Sequence, residues 1–123
     1  MSKKWKVTEK VIKKFQKKHK DKNVVTLDDV IKEVDPQRII AINETYDYPS
    51  ILNDYKMNKL KKSVEENGWT NENPSTIYLF ELPNGDLLVA GCGNHRAVLS
   101  KELSIPSIKA TVGEVKILGP SRV

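Results

Sequence analysis

The chain has 123 residues, of which 38% are hydrophobic, and these values suit one modest core of helices on a sheet rather than several domains. A single cysteine excludes an internal disulfide, and two distant histidines exclude the ligand spacing of a structural zinc site, so we expect no metal ligands. No apolar run approaches the roughly 20 residues of a membrane span, and the basic N-terminus lacks the apolar stretch of a signal peptide, which predicts a cytoplasmic protein without membrane contact.

The net charge of +5 originates near the N-terminus. Residues 2–22 contain ten lysines against only Glu9 and Asp21, and the remainder of the chain is close to neutral. We therefore divide the sequence into a lysine-rich leader, residues 1–22, and a domain, residues 23–123. A basic surface of this kind suits an anionic partner such as nucleic acid or a nucleotide.

The leader carries the pattern of an amphipathic helix over residues 8–18. Val11, Ile12 and Phe15 recur at helical spacing behind Thr8, a candidate N-cap. Two interpretations stay open: the helix docks on the domain by its apolar stripe, which we favour, or its other face contacts nucleic acid. The residues that would make the second contact are Lys10, Lys13, Lys14, Lys17 and Lys18.

The next segments predict short elements and one long loop. A strand is predicted over residues 23–27, a helical turn over 28–34 and a second strand over 38–42. Residues 43–54 show no clear period and predict a surface loop, a kind of segment that often carries function.

A helix and a hairpin are predicted next. Helical spacing over residues 54–67, with Asn53 or Asp54 as N-cap and Gly68 at the C-terminal end, marks the helix most clearly. Residues 76–82 and 86–90 predict two strands, joined at Asn84-Gly85 by a type I′ turn. Residues 91–94 then break the strand, a helix is predicted over 95–103, and a closing strand over 107–112.

The glycine loop before the last helix is a candidate phosphate site. The first N–H groups of a helix have no partner within it and carry partial positive charge. Arg96 can add a bidentate contact to phosphate, His95 can exchange a proton near neutral pH, and Asn94 can cap the helix or contact a ligand. The same residues also suit a helix start without a ligand, in which Gly91 and Gly93 only permit the turn. Residue chemistry alone leaves both interpretations open.

The run "PNGDLLVAGCGNHRAVLSKELSIPSIKA" resembles the signature block of ParB/sulfiredoxin domains. In that block a strand ends in glycine, a polar turn gives a His-Arg or Arg-Arg pair, and an alanine-rich helix leads to "LGIPSI"-type residues. The segments "DPQRIIAI", "KMNKLKKSVEENGW" and "NPSTIYLF" are similar to the preceding parts of the family in the same order. The resemblance covers residues 35–112, and its specific motif is residues 91–96.

The resemblance implies an α+β domain, a small mixed sheet with packed helices, preceded here by the basic helix. It implies a nucleotide, ATP or CTP with or without Mg²⁺, whose phosphates contact the last helix. The residues expected to bind it are Gly91, Gly93, Asn94, His95 and Arg96. Hydrolysis or phosphotransfer would make the protein an enzyme; the alternative is a noncatalytic accessory protein of a mobile element that binds DNA, RNA or a partner through its leader.

Departures from the family pattern bear on the chemistry. Sulfiredoxins place their reactive cysteine immediately before the His-Arg pair, whereas Asn94 stands there in this chain and Cys92 lies two residues earlier. We therefore favour a packing role for Cys92, as a buried or half-buried residue of the turn, over a reactive thiol. Serine-kinase relatives use an acidic base, for which Glu44 and Asp47 are candidates by position, beside His95 as the proton carrier.

Overall fold

A computed structural model describes residues 5–69 and 76–120 as an α+β fold with a curled mixed sheet and three helices. The strands are β1 (Lys6–Val7), β2 (Lys22–Thr26), β3 (Val30–Val34), β4 (Ile39–Ile42), β5 (Tyr78–Glu81), β6 (Leu87–Val89) and β7 (Ile108–Pro120). The helices are α1 (Thr8–Lys18), α2 (Tyr55–Asn67) and α3 (Asn94–Glu102). The predicted combination of a mixed sheet with packed helices is thus confirmed.

The sheet runs in the order β1-β4-β6-β5-β7-β2. Strands β1, β4 and β6 are parallel neighbours, β5 is antiparallel to β6, and β5 and β7 are again parallel. Both β2 and β3 pair antiparallel with the long strand β7, and residues 27–29 interrupt them. The chain from β2 to β3 therefore follows β7 as one broken edge strand.

Two apolar clusters of unequal size lie around the sheet. The larger one joins the sheet to α2 and α3 and includes Met57, Leu79, Val89 and Val98. The smaller one contains Ala41, Leu82, Leu88 and Val115, and the partly buried Val11, Ile12 and Phe15 of α1 pack against it. The favoured interpretation of the leader helix, docking by its apolar stripe, is confirmed. The segment 5–22 thus adds a strand and a helix to the same packed unit as the rest.

Helix boundaries agree closely with the sequence pattern, but the N-cap of α1 and the start of α3 differ from it. Helix α1 has the predicted bounds, yet its N-cap is Val7, and the Thr8 side chain is buried within the first turn. Helix α2 has the predicted caps, because Asp54 accepts the Met57 N–H and Gly68 ends the helix with a positive φ. Helix α3 begins one residue earlier than predicted.

The helical turn predicted over residues 28–34 is wrong. This segment holds β3, whose five residues Val30–Val34 pair in register with β7. Seven residues are too few for a stable isolated helix, and the β-branched Val30, Ile31 and Val34 suit a strand. The backbone hydrogen bonds that β7 offers outweigh the local helical pattern. The two-residue β1, which depends on β4 for its hydrogen bonds, was not predicted.

The hairpin between β5 and β6 is confirmed, but its turn is not type I′. That type needs positive φ at both central residues, and of the two only Gly85 has one, at 93°. The Gly85 N–H donates to the Leu82 carbonyl, and the Leu82 N–H donates to the Asp86 carbonyl. Residues 82–85 therefore fit a type I turn, whose second position suits Pro83 because the ring restricts its φ. Gly85, with its positive φ, forms the bulge that follows this turn.

Candidate functional site

The carboxyl ends of three parallel strands meet at one edge of the sheet. Because β1, β4 and β6 run in the same direction, the chain leaves all three on the same side. Glu9 follows β1 in the first turn of α1, Asn43 follows β4, and Gly91 follows β6 just before α3. This topology brings three distant parts of the sequence together.

Asn43 connects these three segments. Its Oδ1 accepts the Gly91 N–H at 2.9 Å, its own N–H donates to Asn94 Oδ1 at 2.8 Å, and its Nδ2 donates to Glu9 Oε2 at 3.0 Å. The Glu44 N–H donates to the second Glu9 oxygen at 2.9 Å. Desolvation raises the pKa of Glu9, but the hydrogen bonds from Asn43 and Glu44 outweigh it, and the net pKa is lowered. The charged carboxylate therefore holds the loop after β4 in place.

Glycine is required at the start of α3. Gly93 is the N-cap, with a φ of 93°, and an added Cβ would lie 2.7 Å from both the Ile77 Cα and the Thr76 carbonyl oxygen. Gly91 also has a positive φ, of 103°, but an added Cβ there would meet nothing within 4 Å. The backbone at Gly93 therefore packs against another segment, whereas Gly91 borders open space.

Asn94 is not the cap of α3. Its side chain is buried, and its oxygen accepts the Asn43 N–H, so it connects α3 to the loop after β4. Gly93 has no side chain to cap the helix, and no side-chain cap is formed within the described residues. Among the residues that the structure describes, the first N–H groups of α3 therefore have no side-chain cap.

His95 pairs with Asp54 across the site. Its Nε2 lies 3.0 and 2.8 Å from the two carboxylate oxygens of Asp54, which also caps α2. The hydrogen bond to His95 lowers the pKa of Asp54 and outweighs desolvation. A carboxylate can only accept, so Nε2 carries the proton, and Nδ1 holds the lone pair when the ring is neutral. Tyr46 packs against the imidazole with its ring centroid at 4.8 Å.

A cavity of about 260 Å³ opens at the N-terminus of α3. Its walls are formed by Tyr46, Lys56, Thr76 and residues 91–96. The Arg96 guanidinium carbon lies 5.0 Å from the centroid of the Trp69 ring, and burial lowers the pKa of this arginine. Lys56 at the start of α2 and Arg96 on α3 thus place two cations beside the uncapped helix end.

The structure brings some of the predicted site residues together and leaves others apart. Gly91, Gly93, Asn94, His95 and Arg96 all border this cavity. Glu44 and Asp47 are exposed and, within the described part of the chain, are not among the residues that line it. Cys92, which we expected to be at least half-buried, is exposed on the cavity wall. The five lysines of α1 named above are all exposed.

Sequence reasoning missed Asp54 as the partner of His95, Asn43 as the connecting residue, and Lys56. Asp54 was identified only as a helix cap. A usable signal existed for Asn43, since it directly follows an apolar strand, and polar residues at the carboxyl ends of parallel strands often face a common site. Recognising that signal requires knowing that β4 and β6 are parallel neighbours, which the local pattern does not reveal.

Among the residues that the structure describes, no group of three or more His, Cys, Asp and Glu side chains is placed to hold a metal ion. Within the same ranges, no helix has both the length and the apolar character needed to cross a bilayer. No family model, curated protein or solved structure matches the chain.

Proposed function

We propose that this protein binds a nucleotide through its phosphates at the N-terminus of α3. The observation that carries the proposal is the start of α3, which has no side-chain cap among the described residues and opens into a cavity bordered by Lys56 and Arg96. The N–H groups at the helix start, the positive end of the helix dipole and two cations together match the charge and the acceptor oxygens of a phosphate. The sequence resemblance over residues 35–112 supports the same proposal, with the protein as a relative of the ParB/sulfiredoxin superfamily.

The size of the cavity bears on which part of the nucleotide it encloses. Its 260 Å³ lies below the roughly 300–1,000 Å³ of pockets that enclose whole drug-sized ligands. We therefore expect the phosphate end to be enclosed and the base to extend beyond the described walls. ATP and CTP remain equally suited. Mg²⁺, where it accompanies the nucleotide, would be bound chiefly by the phosphates, in keeping with its preference for oxygen ligands and waters.

Hydrolysis or phosphotransfer at this site would use His95 rather than the exposed Glu44 and Asp47. With Nε2 bound to Asp54, the Nδ1 lone pair can accept a proton from the attacking water or hydroxyl group. The attacking oxygen forms a bond to the terminal phosphorus, the bond to the bridging oxygen breaks, and the shortened nucleotide leaves. Asp54 would hold the ring in the required orientation and tautomer, as a positioning residue.

The binding proposal is tested by thermal-shift and calorimetric titration with ATP, ADP, CTP and GTP, with and without Mg²⁺. A ligand that binds only the folded state raises its stability by mass action. Arg96→Ala should weaken binding by about 1.5–3 kcal/mol, the range for a hydrogen bond to a charged group. Lys62→Ala, an exposed lysine on α2 outside the cavity, is the charge-matched control and should leave affinity unchanged. If the Arg96→Ala protein is folded and binds nucleotide with wild-type affinity, the proposed phosphate site is wrong.

A second candidate function is nucleic-acid binding by the outer face of α1. It is favoured by the exposure of all five lysines there while the opposite face is docked. They are Lys10, Lys13, Lys14, Lys17 and Lys18. Phosphate contacts by these lysines predict an affinity that falls steeply with salt and has little sequence preference. The test titrates duplex DNA and RNA into the wild-type protein and into a variant with the five lysines changed to glutamine, at several salt concentrations. The difference between the two slopes of log affinity against log salt concentration is the contribution of these lysines.

A further inference from the structure

Helix α1 is too short to cover the face of the sheet on which it lies. Its 11 residues span about 16 Å, whereas six neighbouring strands occupy about 24 Å at the usual spacing. The chain leaves β1 at one edge, crosses the face as α1, and reaches β2 at the other edge. A groove of about 430 Å³ stays open between the C-terminal half of α1 and the strands β5, β7 and β2.

The groove is apolar inside. Its apolar lining comes from Ile12, Phe15, Val24, Phe80, Leu82 and Val115. These residues belong to the smaller cluster that α1 forms with the sheet, so the groove continues an existing core. A partner that inserts apolar side chains here would complete the packing that α1 begins, and burial of that surface would favour the complex.

The charged residues that line the groove are both lysines. They are Lys20 and Lys22, in the turn after α1 and at the start of β2, and His19 lies beside them. Of the described lining residues, none is acidic, and Asp21 between the two lysines is not part of the lining. Exposed lysines of α1 extend the positive field along the adjacent helix. An apolar channel with a basic end favours a partner that is both apolar and negatively charged.

We propose that the groove between α1 and strands β5, β7 and β2 is a docking site for an acidic, amphipathic peptide segment of a partner protein. Apolar side chains of the segment fill the groove, and neighbouring Asp or Glu residues meet Lys20 and Lys22. This site lies on the opposite face of the sheet from α2 and α3, and it is independent of the proposed nucleotide site.

A peptide fits the groove better than a single-stranded nucleic acid. Binding of bases relies on free aromatic faces. The Phe15 ring already contacts His19 at 4.6 Å between centroids, and the Phe80 ring contacts Tyr78 at 5.6 Å. Apart from His19, the uncharged polar side chains that line the groove are Gln16 and Thr26, which leaves little to pair with base edges. Aliphatic side chains of a peptide have no such requirement.

The test is a selection of random peptides of about a dozen residues displayed on phage, long enough to form one amphipathic segment. The full-length protein is the bait, and Lys20→Glu/Lys22→Glu is the counter-selection bait. We expect enriched sequences with Asp or Glu beside large apolar residues. Synthetic copies of the enriched peptides are then titrated by fluorescence anisotropy, with a dT oligonucleotide as the competing ligand.

The matched control is Lys59→Glu/Lys62→Glu, which changes the net charge equally but alters exposed lysines of α2 that do not line the groove. Affinity for the peptides should fall by at least about tenfold with the first double substitution and by less than about threefold with the control. Gln16→Glu, an exposed position of the groove on α1, should also weaken binding. Enriched peptides without acidic residues, equal losses in both double variants, or preferential binding of the oligonucleotide would each overturn the proposal.

Discussion

Asp54 makes two interactions with one carboxylate, and the two can be separated by substitution. Asn is also a good N-cap, so Asp54→Asn should keep the start of α2 while it removes the carboxylate that orients His95. We expect nucleotide affinity within about twofold of wild type and the proposed turnover lowered by about tenfold or more, since a positioned base contributes at least that much. Steady-state kinetics and calorimetric titration of the same preparation measure both. Unchanged turnover would contradict the proposed roles of His95 and Asp54 in the reaction.

The stability difference between the wild type and Asp54→Asn should depend on pH. The pKa of Asp54 in the folded state lies below its ordinary value of 3.8. The ionised carboxylate therefore stabilises the fold above pH 3.8, and this stabilisation is lost as the pH falls through the lower pKa of the folded state. Urea unfolding should show wild type more stable than Asp54→Asn at pH 7, by about 1 kcal/mol or less because Asp54 is partly exposed. The difference should narrow toward pH 3. A difference that grows on acidification would contradict this assignment.

The start of α3 depends on the backbone conformation of Gly93, which a residue with a Cβ cannot adopt without strain. Gly93→Ala would place a Cβ against the backbone of residues 76 and 77 and force alanine into a left-handed conformation. We expect a loss of at least about 2 kcal/mol in the free energy of unfolding, together with weaker nucleotide binding. Chemical denaturation and thermal shift with nucleotide measure the two effects.

Gly91→Ala is the matched control for this prediction. It has a similar positive φ, but its Cβ would point into open space. It should therefore cost only the conformational penalty, about 1–2 kcal/mol. If both substitutions destabilise the protein equally, the contact between Gly93 and the segment before β5 does not determine the position of α3.

The sheet separates two apolar cores, and α1 packs against part of the smaller one. Phe15→Ala removes a partly buried aromatic ring from that core and should lower the free energy of unfolding by about 1.5–3 kcal/mol, less than for a fully buried ring. Lys14→Ala, an exposed position of the same helix, should change it by less than about 0.5 kcal/mol. Urea denaturation of both variants decides the matter. Equal stabilities would mean that α1 contributes no packing energy.

Local sequence patterns were sufficient for the features that depend on residues close together in the chain. Apolar spacing located α1, α2 and α3, Asp54 and Gly68 marked the ends of α2, and turn residues located the hairpin. The glycine loop with His95 and Arg96 was also visible, because a strand, a turn and a helix follow one another there. Propensity, capping and turn chemistry act over a few residues, so local patterns carry this information.

Other features depend on contacts between residues that are far apart in the sequence, and local patterns did not reveal them. Residues 30–34 form a strand because β7 supplies hydrogen-bond partners about eighty residues later in the chain, in competition with a local helical pattern. The pairing of Asp54 with His95, the connection of Glu9 to Asn43, and the groove beside α1 all follow from the parallel order of β1, β4 and β6 and from where α1 crosses the sheet. Strand order is set by the packing of whole elements around a core, and no short segment encodes it.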